Sequence, residues 1–191
     1  MAQSLIIGIG NPDPEYHNTR HNVGWQFLDF LAKKSKAGSF EPQKKLASQL
    51  AKGHCTIKGK EGKILLAKPQ SYVNVTGPVV AKLKSFFKVS NNAIIIVHDD
   101  LDIPFGNIKL SFDKDSAGHR GIESIMKSLK TKKFYRLRIG TSNPARVKAW
   151  DKPTKAKEAF VKDFVLSPFT PAERAKLKTV FEEGLRRLEQ K

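Results

Sequence analysis

The chain has 191 residues, of which 39% are hydrophobic, so it can bury one substantial core but is short for two independent ones. Its 35 Lys and Arg against 18 Asp and Glu give a formal net charge of +17, which indicates a polyanionic partner, with nucleic acid favoured over an acidic membrane surface. No apolar segment approaches the roughly 20 residues of a membrane-spanning helix, so we expect no membrane span.

The start of the chain and its cysteine content bear on the cellular compartment. The first predicted strand begins within a few residues of Met1, which leaves no room for a signal or transit peptide. The single cysteine, Cys55, cannot form an internal disulfide, which favours a reducing compartment. We therefore expect a cytoplasmic protein, and the alternative is a mitochondrial protein whose leader lies outside this sequence.

The first third of the chain predicts a strand, a polar loop, a helix and a hairpin. Residues 5–9 are β-branched and apolar, as in a buried strand, and the helical pattern of apolar side chains begins at Trp25. The loop between them is rich in polar side chains and contains His21. Residues 46–57 and 63–67 flank a turn-rich break, which indicates a β-hairpin.

The middle of the chain predicts a helix and the central strand. Thr76 is a suitable cap for a helix that starts after a loop at residues 68–74. Residues 93–97 form the clearest central strand because they are apolar on both faces. A loop with three aspartates is expected to follow this strand and to lead into a further strand that contains Ile108.

The last third predicts two helices, a strand and a loop. A helix at residues 121–129 precedes a strand at 135–139, and residues 143–157 are rich in Pro, Lys and Arg without periodicity, as in a mobile basic loop. A C-terminal helix is expected at about 171–189. Because strands and helices alternate, residues 1–191 predict a single α/β domain with a mixed, mostly parallel twisted sheet flanked by helices.

His21 is the first candidate for catalysis, since an imidazole accepts a proton near neutral pH. Asp99 follows the central strand and could bond the other ring nitrogen, which would fix the tautomer and stabilise the imidazolium. The sequence has no nucleophile elbow, and Gly8-Ile9-Gly10 lacks the third glycine of a dinucleotide fingerprint. Water activated by His21 is therefore the most economical mechanism.

Other polar residues support competing interpretations. Asp99, Asp100 and Asp102 could bind a divalent metal, although adjacent residues on an extended chain point opposite ways, so the first two would diverge. His119 and Arg120 open a helix whose free N–H groups would attract phosphate or developing negative charge.

Five blocks in this order resemble the bacterial-type peptidyl-tRNA hydrolase family: GIGNPxxxYxxTRHNVG, QSYVNVTG, VHDDLDIPFG, GHRGIESI and FYRLRIG. The resemblance extends from Leu5 to about Leu188. It implies a monomeric α/β hydrolase that cleaves the ester between a peptide and the 3′ end of tRNA without a metal or other cofactor.

Carried over residue by residue, the resemblance implies His21 as general base and Asp99 as its orienting carboxylate. It implies Asn11 and Asn74 as substrate-positioning amides and Tyr16 as a side chain near the terminal nucleotide. The remaining assignments to substrate binding are Tyr72, His119 and Arg120.

The chain departs from the family pattern at two positions. Arg120 stands where the family usually has asparagine, and Val73 stands where methionine is common. The cation could grip a tRNA phosphate or the oxyanion, or it could weaken catalysis. The alternative function is therefore a catalytically weakened, hydrolase-like RNA-binding protein, and a metal-dependent nuclease or phosphatase is a third possibility.

Basic residues near these blocks fit a surface that binds tRNA phosphates without reading bases. The tRNA-binding candidates are Lys109, Lys133, Arg136 and Arg138. We also expect the basic loop at 143–157 to fold over the acceptor stem.

Overall fold

The structure, a computed structural model, describes residues 3–143 and 154–190. Its strands are β1 (Gln3–Gly8), β2 (Glu41–Gln43), β3 (Ser48–Ile57), β4 (Lys60–Pro69), β5 (Ile94–Pro104), β6 (Ile108–Phe112) and β7 (Tyr135–Ser142). Its α-helices are α1 (Val23–Lys34), α2 (Gly77–Phe87), α3 (Arg120–Leu129), α4 (Thr154–Leu166) and α5 (Pro171–Glu189).

The strands form one mixed sheet in the order β2-β3-β4-β1-β5-β7-β6. The four central strands, β4, β1, β5 and β7, are parallel, whereas β2, β3 and β6 pair antiparallel towards the edges. The predicted hairpin is confirmed as β3 and β4. The α/β class and the mostly parallel sheet are likewise confirmed.

The central strands are apolar on both faces, so an apolar core forms on each side of the sheet. On one face, Ile6 and Val97 pack with Phe27 of α1 and Phe181 of α5. On the other face, β1 and β5 pack with α2 and α3. The C-terminal helix spans Pro171–Glu189, as predicted, and begins with a capping box between Thr170 and Glu173.

The central strand is longer than the sequence analysis predicts. Its pairing with β7 continues past residue 97, with Asp99 opposite Ile139 and Asp100 opposite Gly140, and an irregularity separates Asp100 from Pro104. The expectation of a loop at the aspartates was wrong, because Asp99 and Asp100 pair with β7, while the backbone N–H of Asp102 bonds the Asp100 side chain within the irregularity. Asp99 is therefore held by a central strand of the sheet.

The predicted basic loop at 143–157 is only partly open to comparison, since residues 144–153 lie outside the described residues. Thr154 to Lys157 are helical and belong to α4, so the loop prediction was wrong for that part.

Phe160 and Phe164, one helical turn apart on α4, stack on each other, and Phe164 is buried. Among the described helices, none is long and apolar enough to cross a membrane.

Candidate active site

The short turn before α1 is anchored on both sides of His21. Arg20, His21 and Asn22 form a 3₁₀ turn that leads directly into this helix. The Arg20 guanidinium pairs with Glu173 at 2.6 Å, while the Asn22 amide bonds the backbone N–H and C=O of Asn11, both at 2.9 Å. His21 therefore lies between two side chains that are each fixed to another part of the fold.

His21 contacts Asp99, the residue that the sequence analysis pairs with it. Nδ1 of His21 lies 3.0 Å from Oδ1 of Asp99, whose side chain is 2% exposed. The His21 side chain is 17% exposed, so the imidazole connects a buried carboxylate with the solvent. This geometry suits a general base oriented by a carboxylate.

His119 is a second partner of the same carboxylate oxygen. Its Nε2 lies 3.1 Å from Oδ1 of Asp99, and its Nδ1 accepts from the backbone N–H of Gly121 and of Ile122. Because an ionised carboxylate only accepts, Nε2 of His119 and Nδ1 of His21 carry the protons. Nε2 of neutral His21 therefore keeps a free lone pair that can take a proton from water.

Burial and charge shift the pKa values of this pair in opposite directions. Burial lowers the pKa of His21, but the charge of Asp99 and its hydrogen bond raise it, and the net pKa lies above its ordinary value. Burial raises the pKa of Asp99, but the imidazoles of His21 and His119 lower it well below its usual range. Asp99 therefore stays ionised while His21 titrates.

His98, beside Asp99 on β5, completes a group of three imidazoles. Its Nδ1 lies 2.6 Å from the carbonyl oxygen of Asp99, and its ring meets that of His119 edge to face, with centroids 4.8 Å apart. Burial, and then the neighbouring His119, lower the pKa of His98 well below its ordinary value. His98 is therefore a neutral, buried packing residue.

The two candidate asparagines lie on neighbouring loops at the carboxyl edge of the sheet. Oδ1 of Asn11 accepts from the backbone N–H of Val73 at 3.0 Å, and the Tyr72 hydroxyl donates to Asp13 at 2.6 Å. These bonds tie the loop after β1 to the loop after β4. Asn74, next to Val73, is exposed and available to a ligand.

Tyr16 lies in the same loop as Asn11. It ends the 3₁₀ turn Pro14–Tyr16, and its carbonyl accepts from the Thr19 hydroxyl at 2.7 Å. Burial, together with the charge of Glu15, raises the pKa of the Tyr16 phenol. The side chain is therefore a neutral hydroxyl on the loop that carries Asn11.

The start of α3 differs from the expected anion site. His119 is its N-cap, and its side chain satisfies the N–H groups of Gly121 and Ile122, so the expectation that these groups are free for phosphate was wrong. Arg120, the first residue of α3, is exposed. The Arg120 guanidinium is thus an exposed cation beside two N–H groups that are already bonded.

The acidic residues of β5 do not converge. Oδ2 of Asp100 accepts from Arg138 at 2.7 Å, and Oδ1 of Asp100 accepts from the backbone N–H of Asp102 at 2.9 Å. Within the described residues, the group that could hold a metal ion is instead His21, Asp99 and His119, whose ligand atoms lie within 4.8 Å of one another. The hypothesis of a metal bound by the three aspartates is therefore not supported.

The four candidate tRNA-binding residues fall into different environments. Lys109 and Lys133 are exposed, and the side chain of Arg138 is 19% exposed and paired with Asp100. Arg136 is 2% exposed, and its Nη2 donates to the carbonyl of Asp115 at 2.9 Å. The environment of Arg136 does not favour its assignment to tRNA binding, because its guanidinium is bonded inside the fold.

The sequence analysis missed three residues that hold the site together. Arg20 and Asn22 flank His21 in the first block, so their position was a usable signal. Glu173 gave no comparable signal, since it lies 153 residues from its partner Arg20 and resembles any acidic residue in the first turn of a helix.

Comparison with known proteins shows the family to which the chain belongs. Residues 5–191 match the model of the peptidyl-tRNA hydrolase family. The chain is 42% identical to a peptidyl-tRNA hydrolase of Aquifex aeolicus over 97% of this chain and 88% of that protein. It is 40% identical to one of Rhodococcus erythropolis over 95% of this chain and 87% of that protein.

A solved structure shares the fold. The crystal structure of peptidyl-tRNA hydrolase from Acinetobacter baumannii superposes with a TM-score of 0.77 at 30% identity, covering 97% of this chain and 88% of that one. The family match and the relatives span nearly the whole chain. The chain therefore belongs to the peptidyl-tRNA hydrolase family.

Proposed function

We propose that this chain hydrolyses the ester bond between the peptide and the 3′-terminal ribose of peptidyl-tRNA and so recycles tRNA. The observation that carries the proposal is the 3.0 Å contact between Nδ1 of His21 and Asp99, which leaves Nε2 of His21 as a base. The relatives named above are peptidyl-tRNA hydrolases, which favours turnover over RNA binding alone.

His21 accepts a proton from water as the water oxygen attacks the acyl carbon. The resulting imidazolium is stabilised by ionised Asp99. Collapse of the tetrahedral intermediate breaks the bond to the ribose oxygen, which takes the proton from His21 and leaves as a hydroxyl. The products are tRNA and the peptide acid, which releases its remaining proton to solvent and becomes a carboxylate.

Polar side chains at the same edge of the sheet are assigned to the substrate. Asn11 and Asn74 are assigned to the peptide main chain, because an amide both donates and accepts. Oδ1 of Asn11 already accepts from Val73, so its NH₂ group is assigned to the substrate. An amide donor near the ester oxygen would stabilise the oxyanion. Tyr16, Tyr72, His119 and Arg120 are assigned to the surrounding substrate contacts.

Exposed cations are assigned to the tRNA. Lys109 and Lys133 are free to contact phosphates, and Arg138 is a candidate that would share its charge with Asp100. Phosphate contacts confer affinity without reading the sequence, which suits an enzyme that must accept many tRNAs.

The mechanism written above uses no metal, and we propose a metal-independent monomer. A chelator should then leave the rate unchanged, and gel filtration should give one chain per particle. The cytosol is the proposed compartment, with the mitochondrion as the alternative.

The direct test is hydrolysis of an N-blocked aminoacyl-tRNA by the wild type and by His21→Ala. We expect the variant to lose activity by about 10²- to 10⁴-fold, the usual contribution of a general base. Equal rates for the two proteins would overturn the proposal. Salt-dependent tRNA binding without ester loss by the wild type would select the alternative, an RNA-binding protein without turnover.

A further inference from the structure

A buried ion pair lies next to the catalytic turn but makes no contact with the substrate groups assigned above. Arg20 is 2% exposed and Glu173 is 12% exposed. Two parallel hydrogen bonds join them, from Nη1 to Oε1 at 3.0 Å and from Nη2 to Oε2 at 2.6 Å. The guanidinium also lies over the rings of Phe164 and Phe169, at 4.7 and 4.9 Å.

The backbone around Arg20 is tied to the same region. Its N–H donates to the carbonyl of Ser167 at 3.0 Å, and Thr19 forms an isolated bridge with Pro168. The connection between α4 and α5 is thus joined to the residues immediately before His21 by backbone as well as side-chain bonds.

Glu173 has a second set of bonds that fix its own position. Its Oε2 accepts from the backbone N–H of Thr170, and Thr170 in turn accepts from the N–H of Glu173, so the carboxylate completes the cap of α5. The Asn143 side chain at the end of β7 adds a long contact of 3.4 Å. Arg20 is therefore held by a carboxylate that is itself rigidly placed.

A buried ion pair is weak evidence for stability, because the cost of removing two charges from water offsets most of their attraction. Its bidentate geometry does, however, define a position and an angle closely. The charged group beside His21 that raises its pKa is Asp99, so the pair's effect on His21 would pass through geometry rather than through its own field.

We infer that Arg20 and Glu173 are positioning residues that hold the His21 imidazole against Asp99 through the 3₁₀ turn formed by Arg20, His21 and Asn22. The inference rests on the proposed hydrolysis for its kinetic consequence. Asn22 and the backbone bonds of Thr19 and Arg20 would still hold the turn without the ion pair, so we expect its loss to shift His21 within the site rather than to release the turn. A displacement of about 1 Å at a catalytic group costs about 10²-fold in rate.

The experiment compares Glu173→Gln and Arg20→Lys with Glu183→Gln. Glu183 lies on the same helix and pairs with exposed Arg186 and Arg187, so its variant removes the same charge away from the turn. Each protein is assayed well below its melting temperature with an N-blocked aminoacyl-tRNA, and its His21 imidazole is titrated by NMR.

We expect both test variants to lose at least about tenfold in kcat with KM unchanged, and the His21 pKa to fall as the contact with Asp99 loosens. In an Asp99→Asn background, either substitution should lower kcat by a smaller factor than it does in the wild type, since both changes act on the contact between His21 and Asp99. The Glu183→Gln control should stay within about twofold of wild type.

A lower melting temperature with wild-type kcat and wild-type His21 pKa in the folded test variants would overturn the inference, because the pair would then be structural only. If a test variant does not fold, Phe164→Leu removes one ring from the guanidinium without changing charge, and the same two readouts apply. If the wild type proves not to hydrolyse the ester, the NMR titration still decides the inference independently of the proposed function.

Discussion

Nε2 of His119 and Oδ1 of Asp99 are 3.1 Å apart, so the oxygen that orients His21 is shared between two imidazoles. The second donor weakens the basicity of Asp99 towards His21, because it stabilises the ionised carboxylate. This arrangement makes the pH dependence of the enzyme sensitive to changes at either partner.

Replacing Asp99 by Asn should lower kcat by about 10²-fold or more, with a smaller effect on KM, since the carboxylate helps most when His21 is charged. In the wild type, the rate should rise with pH as His21 loses its proton, with a midpoint above the ordinary pKa of a histidine. Without the charge of Asp99, burial remains and lowers the pKa, so the midpoint should move to lower pH. A pH–rate profile of both proteins measures this, and a flat profile between about pH 5 and 8 would contradict a histidine base.

Replacing His119 by Ala should have two effects. The loss of the side-chain cap of α3 should lower the free energy of unfolding by about 1 kcal/mol. The loss of its bond to Asp99 should raise the pKa of His21 further and move the pH–rate midpoint upwards. The matched control is His54→Ala, an exposed histidine on β3 that should change neither the melting curve nor the profile.

Replacing Arg120 by Asn, the residue usual in the family, tests the role of the exposed cation at the start of α3. If Arg120 contacts a phosphate, KM should rise several-fold, and the slope of log affinity against log salt should decrease by about one, with kcat maintained. Arg174→Asn removes the same charge from an exposed position on α5 and is the control. An unchanged KM and salt slope would show that Arg120 does not bind the tRNA backbone.

Substitution of exposed and of buried basic residues should have different effects on tRNA binding and on stability. Lys109→Ala and Lys133→Ala should weaken tRNA binding and reduce its salt dependence, with little change in stability, because both side chains are exposed. Arg136→Ala should instead lower the free energy of unfolding by about 2 kcal/mol, since it removes a buried side chain bonded to Asp115. Filter binding at several salt concentrations measures the first effect, and chemical denaturation measures the second. If both lysine variants bind tRNA with wild-type affinity, neither lysine belongs to the tRNA-binding surface.

Much of the fold could be predicted because its signals are local. The apolar runs that became β1 and β5, the turn between β3 and β4, and the proline and apolar stripe of α5 each lie within one short segment. The ends of elements were less predictable. The extension of β5 through its aspartates depends on pairing with β7, which no local pattern encodes.

The sequence by itself determined the candidate base and its carboxylate, since His21 lies in the loop after β1 and Asp99 lies after the apolar run of β5, and the two strands are parallel neighbours. Only the tertiary structure decided that His119 shares that carboxylate, that Arg136 is buried, and that Glu173 holds Arg20 beside the base. The physical reason is that the exposure and partners of a charged side chain depend on which distant segments pack against it. A residue's type and its immediate neighbours in the chain do not specify those contacts.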